Sequence, residues 1–371
     1  MLDLEELVKA YKDCRSNKRN TINALAFEFD LEDKILRLYN ELKSGTYKIG
    51  SSVCFIVLFP KVREVWAADF NDRVVHHLVY NRIKDRFYNR FIPTTYSCIP
   101  KRGTLKAGLC VEKMARSVTR NYTRPAYYLK ADLQNFFVSI DKAVLMKELE
   151  RYVHEEWILK LLRQIVWNDP RESVYIKSPS WKFKKLASHK SLWNSDNSKG
   201  LPIGNLTSQF FSNVYLNILD QYVKHHLKCK YYCRYVDDFI IMSDDPHQLN
   251  EWHKDLAKFL QERLALTLHP NKKSINKIER GIDFVGFVVK PYRMVLRQKT
   301  LKRLFKRIRE FKESPVWFYP KEMLAFRNSV NSYLGMLRGI SGYNMRRKIC
   351  LECINLFIGC DEEFTKLIYR G

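Results

Sequence analysis

The stretch CRYVDDFIIMS, residues 233–243, decides the fold. Two adjacent carboxylates, Asp237 and Asp238, stand between two apolar runs, a pattern that predicts two strands joined by a tight polar turn. Such a turn lets both carboxylates lie at the tip of the hairpin instead of on opposite faces of a sheet. Because two anions held close together repel each other, the pair favours a cation such as Mg²⁺, which binds carboxylate oxygens and leaves room for phosphate. A surface Asp-Asp turn has the same local pattern, so the pair alone leaves both interpretations open.

A second stretch, YYLKADLQNFFVSID at residues 127–141, supplies a third carboxylate. Asp132 ends an apolar strand, and two aromatic residues, Phe136 and Phe137, follow. Brought beside the hairpin, Asp132 would complete a two-metal site that activates an attacking hydroxyl and stabilises a leaving pyrophosphate. The alternative is that Asp132 caps a helix starting near Ile140, but its spacing is poor because apolar residues continue past Asp132.

A third stretch, GLPIGNLTSQFFSN at residues 200–213, combines a Gly- and Pro-containing loop with the start of a helix. Such a loop lets the backbone approach a ligand closely, and Ser208 and Gln209 fall in the first turns of the helix. A loop whose only role is to cap the helix would have the same sequence pattern.

The charge of the chain favours a polyanionic partner. Among 371 residues, Lys and Arg number 65 and Asp and Glu 40, which leaves a net charge of +25. Each phosphate that a basic side chain neutralises releases a counterion, so nucleic acid is favoured over a solvated basic surface or an anionic membrane. With 46% hydrophobic residues, the chain can bury a sizeable core, which excludes a largely disordered protein.

The cysteines, the first residues of the chain and the shortness of its apolar runs predict a soluble, cytoplasmic protein without membrane spans. Of nine cysteines, only Cys350 and Cys353 form a C-x-x-C pair, and neither a second pair nor a His pair follows with zinc spacing. Free thiols in a reducing compartment are therefore expected. The start, MLDLEELVKA, is acidic and amphipathic and does not resemble a signal peptide.

Hydrophobic periodicity predicts most of the remaining elements. These are two helices before residue 45 around the polar turn RSNKRNT, strands over 46–59, helices over 69–91, 106–118, 206–227 and 245–264, strands over 126–132 and 284–289, and basic helices from 300 to the end. His76 and His77 fall on a helix among apolar residues and are expected to be core or groove residues, not ligands.

Residues 169–200 break this periodicity. The run WKFKKLASHKSLWNSDNSKG is rich in Lys, Ser and Trp, and we expect a long surface insertion. Trp181 and Trp193 either stack on unpaired bases or pack onto the palm.

Together and in this order, these stretches resemble a reverse transcriptase. The Y-x-D-D box is Tyr235 to Asp238, and the strand Asp with an aromatic residue five positions on is Asp132 with Phe137. Four further blocks resemble other conserved motifs of that family: PKVREV with FNDRVVHHLV (60–79), YSCIPKRGT (96–104), LTLHPNKKS (266–274) and GIDFVGF (281–287). The resemblance implies an α+β right-hand polymerase with an antiparallel palm sheet and a helical thumb.

The resemblance also implies a four-part organisation. Residues 1–57 would be an N-terminal helical extension of the fingers, 58–125 the fingers, 126–290 the palm with the insertion 169–200, and 291–371 a basic helical thumb. The ligands of two Mg²⁺ ions would be Asp132, Asp237, Asp238 and the Leu133 carbonyl.

By the same resemblance, Phe137 would lie beneath the incoming sugar and exclude a 2′-hydroxyl, and Arg63 would contact the triphosphate or its base. Lys273 would steady the leaving pyrophosphate, with Lys272 as the alternative. Lys101 and Arg102 are weaker phosphate candidates, and Ile99 stands where a basic residue is usual. Further nucleotide-site candidates are Ile203, Gly204 and Gln209.

The form I-G-x-x-x-S-Q at residues 203–209 is similar to the reverse transcriptases of diversity-generating retroelements. That subfamily copies a template-repeat RNA into cDNA from dNTPs, misincorporates opposite adenines, and works with a basic pentameric accessory variability protein. The resemblance therefore implies template RNA, the RNA/cDNA duplex and this accessory protein as partners in a bacterial cytoplasm. The alternatives are another bacterial reverse transcriptase, of retron, group II intron or phage-defence type, and a non-catalytic RNA-binding scaffold. The absence of a maturase tail argues against the intron type.

Overall fold

The chain contains both helices and strands in the computed structural model, which describes residues 2–16, 21–314, 319–354 and 358–369. They form two units, each made of three separate segments. The first unit comprises Met1–Pro93, Asp132–Lys228 and Trp252–Asn271, and the second comprises Thr94–Ala131, Cys229–Glu251 and Lys272–Gly371. Because the units interleave along the sequence, they do not follow the four-part division, which stays a prediction.

The first unit is mainly helical. Its helices are α1 (Leu4–Arg15), α2 (Ile22–Phe29), α3 (Leu31–Ser44), α4 (Phe70–Tyr88), α6 (Phe136–Ser139), α7 (Lys142–Glu150), α8 (Glu156–Trp167), α9 (Ser180–Phe183) and α10 (Leu206–Gln221), and its strands are β1 (Ser52–Val57), β2 (Arg63–Ala68) and β4 (Val174–Ile176). The prediction of two helices before residue 45 is wrong, because Asp30 leaves the helical conformation (φ −123°, ψ 51°) and separates α2 from α3. Residues 17–20 of the predicted polar turn lie outside the described residues.

Helices α4 and α10 form the centre of the first unit. Asp69 caps α4 by accepting a hydrogen bond from the Asn71 amide, and the helix follows the predicted range closely. Phe210 of α10 contacts Phe87 of α4 at a ring distance of 5.6 Å. His76 is buried on α4 and its Nδ1 lies 3.0 Å from the Thr207 hydroxyl, as expected for a core histidine. A π-helical turn, Tyr222–His226, continues α10 over the rest of the predicted helix.

The insertion segment, which we define as residues 169–200, does not project as a plain loop. Its strand β4 pairs in parallel with β1, so that the sheet has the order β2-β1-β4. Glu64 of β2, which is 3% exposed, accepts hydrogen bonds from the Ser191 hydroxyl and the Leu192 amide. A buried carboxylate needs such donors, and here they tie the segment to the face of the sheet that carries Trp66.

Arg171 closes the insertion segment at its base. Its guanidinium donates to both oxygens of Asp169 and to the carbonyl oxygens of Leu192 and Ser195, at 3.1 and 2.9 Å. These hydrogen bonds lower the pKa of Asp169 and keep it ionised. The segment without regular periodicity therefore consists of short helices and a short strand, which hydrogen bonds of buried or half-buried charged side chains hold in place.

The second unit contains three sheets and the C-terminal helices. Its strands are β3 (Tyr127–Ala131), β5 (Tyr231–Tyr235), β6 (Asp238–Ser243), β7 (Ser274–Lys277), β8 (Ile282–Phe284), β9 (Phe287–Lys290), β10 (Arg293–Leu296), β11 (Ile358–Cys360) and β12 (Leu367–Tyr369), and its helices are α5 (Thr104–Val118), α12 (Gln298–Glu313), α13 (Pro320–Arg338) and α14 (Tyr343–Cys353). Helix α11 (Pro246–Leu264) is divided between the two units at residue 251.

One continuous core holds the second unit together. It includes buried apolar residues of the β5-β6-β3-β7 sheet, of α5 and of the C-terminal helices, among them Ile240, Val111, Leu304 and Val330. Since these side chains alternate or recur at helical spacing, the pattern of the sequence already predicts which faces are buried.

Two predictions for the C-terminal third are wrong. The expected strand over 284–289 is broken by a turn at Val285 and Gly286, both with positive φ, and becomes the hairpin β8–β9. The chain is not helical from 300 onward, because β11 and β12 form an antiparallel pair near the end. Residues 315–318 and 355–357 lie outside the described residues. Among the helices that the structure describes, none has the length and apolarity needed to cross a membrane.

Candidate active site

The hairpin β5–β6 carries Asp237 and Asp238, as predicted. Tyr235 pairs with Asp238, and Val236 and Asp237 form the turn. Val236 has φ +55°, a left-handed conformation that is unusual for a β-branched residue and is kept only where the surroundings enforce it. Both carboxylates are half-buried, whereas most of the strand residues that follow Asp238 are fully buried. The turn thus presents two acidic groups at the edge of a rigid sheet.

Arg234 is a residue that the sequence reasoning missed. It is fully buried, and its Nη1 donates to the Val236 carbonyl oxygen at 3.0 Å. Its amide donates to the Thr94 carbonyl, and its carbonyl accepts from the Tyr96 amide. A buried guanidinium is retained only with hydrogen-bond partners, so Arg234 supports the unusual turn from beneath. The single basic residue inside the apolar run CRYV was the available signal.

Strand β3 lies between β6 and β7 and brings further candidates to the same end of the sheet. Ala131 pairs with Phe239, the residue after Asp238, and Lys130 pairs with Ser274. Lys273 therefore lies one residue beyond the paired part of β7, where it is exposed and donates to Asn250 Oδ1 at 2.9 Å. The register places Lys273 and Asp238 at the strand ends that flank Ala131.

In the first unit, Asp132 and Leu133 are held by backbone hydrogen bonds to the block LTLH. The His269 amide donates to the Asp132 carbonyl oxygen at 2.8 Å, and the Gln134 amide donates to the Thr267 carbonyl oxygen at 2.9 Å. These bonds form an antiparallel bridge between Leu133 and Leu268. The two hydrogen bonds lie on either side of Leu133 and involve neither its amide nor its carbonyl. The Leu133 carbonyl therefore points away from the segment that contains Leu268. Asp132 is 7% exposed and lies before the start of α6, so it is not the cap of a helix near Ile140.

Phe137 and the loop at 200–204 are joined in the first unit. The Leu201 amide donates to the Phe137 carbonyl oxygen at 2.8 Å. Phe136 is 3% exposed and fills the core, whereas Phe137 is only half-buried. The neighbouring aromatics therefore have different environments, and Phe137 is the more accessible of the two.

The same loop is tied to strand β2. The Trp66 amide donates to the Ile203 carbonyl oxygen at 2.7 Å, and the Ala68 amide donates to Asn205 Oδ1 at 3.1 Å. A Cβ on Gly204, whose φ is +134°, would lie 2.8 Å from the Trp66 carbonyl oxygen. Gly204 therefore permits this close approach, a structural role that adds to the one expected from the motif.

The remaining candidates differ in exposure. Arg63 is exposed at the start of β2, and Gln209 is exposed on the first turn of α10. Lys101 is exposed with φ +61°, whereas Arg102 donates to the Thr95 carbonyl oxygen at 2.6 Å and so helps to hold its own loop. Ile99 is 9% exposed.

In the second unit, the adjacent carboxylates of Asp237 and Asp238 supply oxygen donors of the kind that a hard divalent cation binds. Carboxylate and carbonyl oxygens are the ligands that Mg²⁺ takes, and it usually completes its shell with water or substrate phosphate. Within the described part of the chain, no three His, Cys, Asp or Glu side chains are grouped so as to hold a metal on their own. This holds for Cys350 and Cys353 too, where burial raises the pKa of both thiols to about 12 and keeps them protonated.

Comparisons with known proteins show the family of the chain. Residues 60–289, more than half of the chain, match the family described as reverse transcriptase (RNA-dependent DNA polymerase). The protein YkfC of Escherichia coli (strain K12) is 22% identical over 71% of this chain and 73% of its own length. The group II intron-encoded protein LtrA of Lactococcus lactis subsp. cremoris is 20% identical over 79% of this chain and 56% of its own length.

A solved structure extends the comparison to the fold. The apo telomerase from Candida tropicalis, truncated from its C-terminal domain, has a TM-score of 0.51 at 9% identity and covers 67% of this chain and 55% of that chain. The chain thus spans little more than half the length of LtrA and of the telomerase chain. The expected α+β fold of a right-hand polymerase is confirmed.

Proposed function

The chain belongs to the reverse transcriptase family, and from this premise we propose that it copies RNA into DNA by two-metal nucleotidyl transfer. In this reaction a primer 3′-hydroxyl attacks the α-phosphate of a dNTP, and pyrophosphate leaves. The observation that carries the proposal is the register of the sheet. Ala131 of β3 pairs with Phe239 of β6, and in the sequence Asp132 directly follows the first of these residues and Asp238 directly precedes the second.

Asp132, Asp237 and Asp238, with the Leu133 carbonyl, would hold two Mg²⁺ ions. The chemistry supplied by these ions is activation of the primer hydroxyl and neutralisation of the charge that develops on pyrophosphate. Arg234 fixes the turn that presents Asp237, and the bridge to Leu268 directs the Leu133 carbonyl away from its partner strand.

The other candidates would bind the nucleotide. Arg63 would hold triphosphate oxygens, because its planar charged group donates in pairs. Phe137 would exclude a 2′-hydroxyl with its half-buried ring, and Lys273 would steady the pyrophosphate. Ile203, Gly204 and Gln209 would lie near the nascent base pair, and Lys101 and Arg102 would contact phosphates from a loop.

We further propose the subfamily of diversity-generating retroelements, with template-repeat RNA, dNTPs and a basic pentameric accessory variability protein as partners in the cytoplasm. The form I-G-x-x-x-S-Q supports this assignment. By the resemblance, Ile203 stands where most reverse transcriptases carry a polar Gln. An aliphatic side chain gives less hydrogen-bonded positioning of base and sugar, which would relax discrimination most at template adenines. The likeness to LtrA favours the group II type as the second candidate.

The test is primer extension with cDNA sequencing. The full chain, with and without a candidate accessory protein, copies a defined RNA in Mg²⁺, and Asp237→Asn/Asp238→Asn is the inactive control. Product from the unchanged chain only, with errors concentrated at template adenines, supports both levels of the proposal. Faithful product keeps the polymerase and refutes the subfamily, while product that survives in the control variant contradicts the assigned carboxylates.

Ile203→Gln tests the residue behind the expected infidelity, and Ile203→Leu is its apolar control. We expect Ile203→Gln to lower the adenine error frequency and Ile203→Leu to leave it unchanged. The same error spectrum in both variants would contradict a role for the missing amide.

A further inference from the structure

The short helix α9 has two different faces. Phe183 packs against the buried cluster of Cys54, Trp66 and Leu192, which anchors the helix to the β2-β1-β4 sheet. Trp181, two residues earlier, is 50% exposed. The helix therefore holds a large aromatic ring at the surface of the first unit, at the cost of exposing apolar area to water.

Two ammonium groups lie over this exposed ring. Lys185 Nζ is 4.9 Å and Lys182 Nζ is 5.6 Å from the centroid of Trp181. Cation–π contacts of this kind hold lysine side chains beside the ring instead of leaving them to spread into solvent. The result is a flat π surface bordered by positive charge.

The charge of the surrounding chain has one sign. Residues 173–195 contain five Lys and no Asp or Glu. On the adjacent strand β4, Tyr175 and Ile176 are 66% and 51% exposed. The buried Glu64 and the paired Asp169 are both engaged by donors of the protein, as described above.

Trp193 of the same segment shows the contrasting arrangement. Its ring lies 5.1 Å from that of the buried Trp66, so its role is to pack the segment onto the sheet. The two tryptophans that the sequence treats alike are therefore different, and packing accounts for Trp193 but not for the lysine-bordered Trp181.

We propose that Trp181, Lys182 and Lys185 form a binding surface for single-stranded RNA. An unpaired base stacks on the exposed part of the Trp181 ring, and the two ammonium groups neutralise the flanking phosphates. An acidic protein would match the charge, but an exposed flat ring next to two cations fits the alternation of bases and phosphates along a strand. The inference rests on the proposed function in one respect, that the RNA is the template outside the duplex being made.

The test measures RNA binding without polymerisation. Fluorescence anisotropy follows a labelled, unstructured 20-nucleotide RNA and a labelled duplex RNA binding to the full chain in its Asp237→Asn form. We expect Trp181→Ala to weaken single-strand binding about tenfold and duplex binding hardly at all, with Trp181→Phe retaining most of the affinity. Lys182→Ala/Lys185→Ala should lower the slope of log K against log salt by about 1.4 for the single strand.

The matched control is Trp167→Ala, since Trp167 is 47% exposed at the end of α8 and should leave both affinities unchanged. Unchanged single-strand affinity in Trp181→Ala, or an equal loss for single strand and duplex, would overturn the proposal. A tenfold loss toward a labelled poly-Glu probe without a loss toward RNA would assign the surface to a protein partner instead. If the unchanged chain shows no cDNA synthesis but Trp181→Ala still loses RNA affinity, the proposed function fails and the RNA surface stands.

Discussion

The hairpin β5–β6 and the insertion segment 169–200 both carry side chains proposed to act on nucleic acid, but they are built differently. The hairpin has strands buried in a core, and one buried guanidinium supports its turn. The insertion segment has short elements that are tied to a sheet by a buried carboxylate and held at their base by a half-buried ion pair. A position that must not move is thus built into strands, whereas a binding surface is held by a few polar anchors.

The largest expected effect separates the two regions by chemistry. Asp237→Asn should lower kcat for primer extension about a thousandfold, which corresponds to about 4 kcal/mol of barrier, and leave the affinity for single-stranded RNA unchanged. Single-turnover extension and anisotropy measure the two quantities. The exposed Asp244, in the same unit, provides the control Asp244→Asn with unchanged rate; an equal rate for both variants would contradict the metal-ligand role.

Arg234→Met tests the rigidity of the hairpin. Removing the buried guanidinium leaves the Val236 carbonyl without this donor and opens space in the core, so the free energy of unfolding should fall by about 3 kcal/mol. Urea denaturation measures it, with the exposed Arg293→Met as a control that stays within about 0.5 kcal/mol. Equal stability of the two variants would show that the turn needs no support from Arg234.

Glu64→Ala tests the main anchor of the insertion segment. The change leaves the Ser191 hydroxyl, the Leu192 amide and Trp66 Nε1 without their acceptor, so local stability should fall by about 2 kcal/mol. Hydrogen exchange should rise in residues 188–194 and stay unchanged in β6. An equal loss of protection in residues 188–194 and in β6 would show that Glu64 does not stabilise the insertion segment separately from the hairpin.

The two tryptophans sharpen the comparison within the segment. Trp193→Ala should lower the free energy of unfolding by about 1 kcal/mol, because the contact with Trp66 is lost, whereas Trp181→Ala should change it by less than about 0.5 kcal/mol. Denaturant titrations of both variants give the result. A larger loss for Trp181→Ala would mean that this ring packs the segment instead of facing a ligand.

The smallest expected effect is the acid response of the segment. The Arg171 guanidinium lowers the pKa of Asp169 below its unfolded value of about 3.9, so the ion pair stabilises the fold fully above that value, and this contribution is lost as pH falls through the lowered pKa. The difference in unfolding free energy between the unchanged chain and Asp169→Asn should be under about 1 kcal/mol at pH 6 and shrink toward pH 3. A difference independent of pH would contradict this.

Much of the fold could be predicted where the residues within one helix or hairpin are enough to specify it. The helix over 69–91 and the hairpin at 231–243 follow from spacing alone, and α4 begins at Phe70, directly after its capping residue Asp69. Predictions failed where local pattern is ambiguous. The strand over 284–289 contains Gly286, whose positive φ turns the chain back, and the short C-terminal strands β11 and β12 lie where helices were expected.

For the candidate site, the residue types were readable but their supports were not. Asp237 and Asp238 are recognisable as a pair, whereas nothing in the string shows that Arg234 is buried beneath them. Likewise Glu64 reads as a surface residue of a basic motif, although the structure buries it against residues more than 120 positions away.

The sequence by itself determined the family, the acidic groups and the sign of the charge, because these depend on residue identity and on contacts between near neighbours. The tertiary structure alone decided which of two similar tryptophans packs and which faces solvent, which carboxylate is an anchor, and which carbonyl is directed away from its partner strand. The physical reason is that burial and hydrogen-bond partners are properties of the surroundings, and these are contributed by segments far apart in the chain.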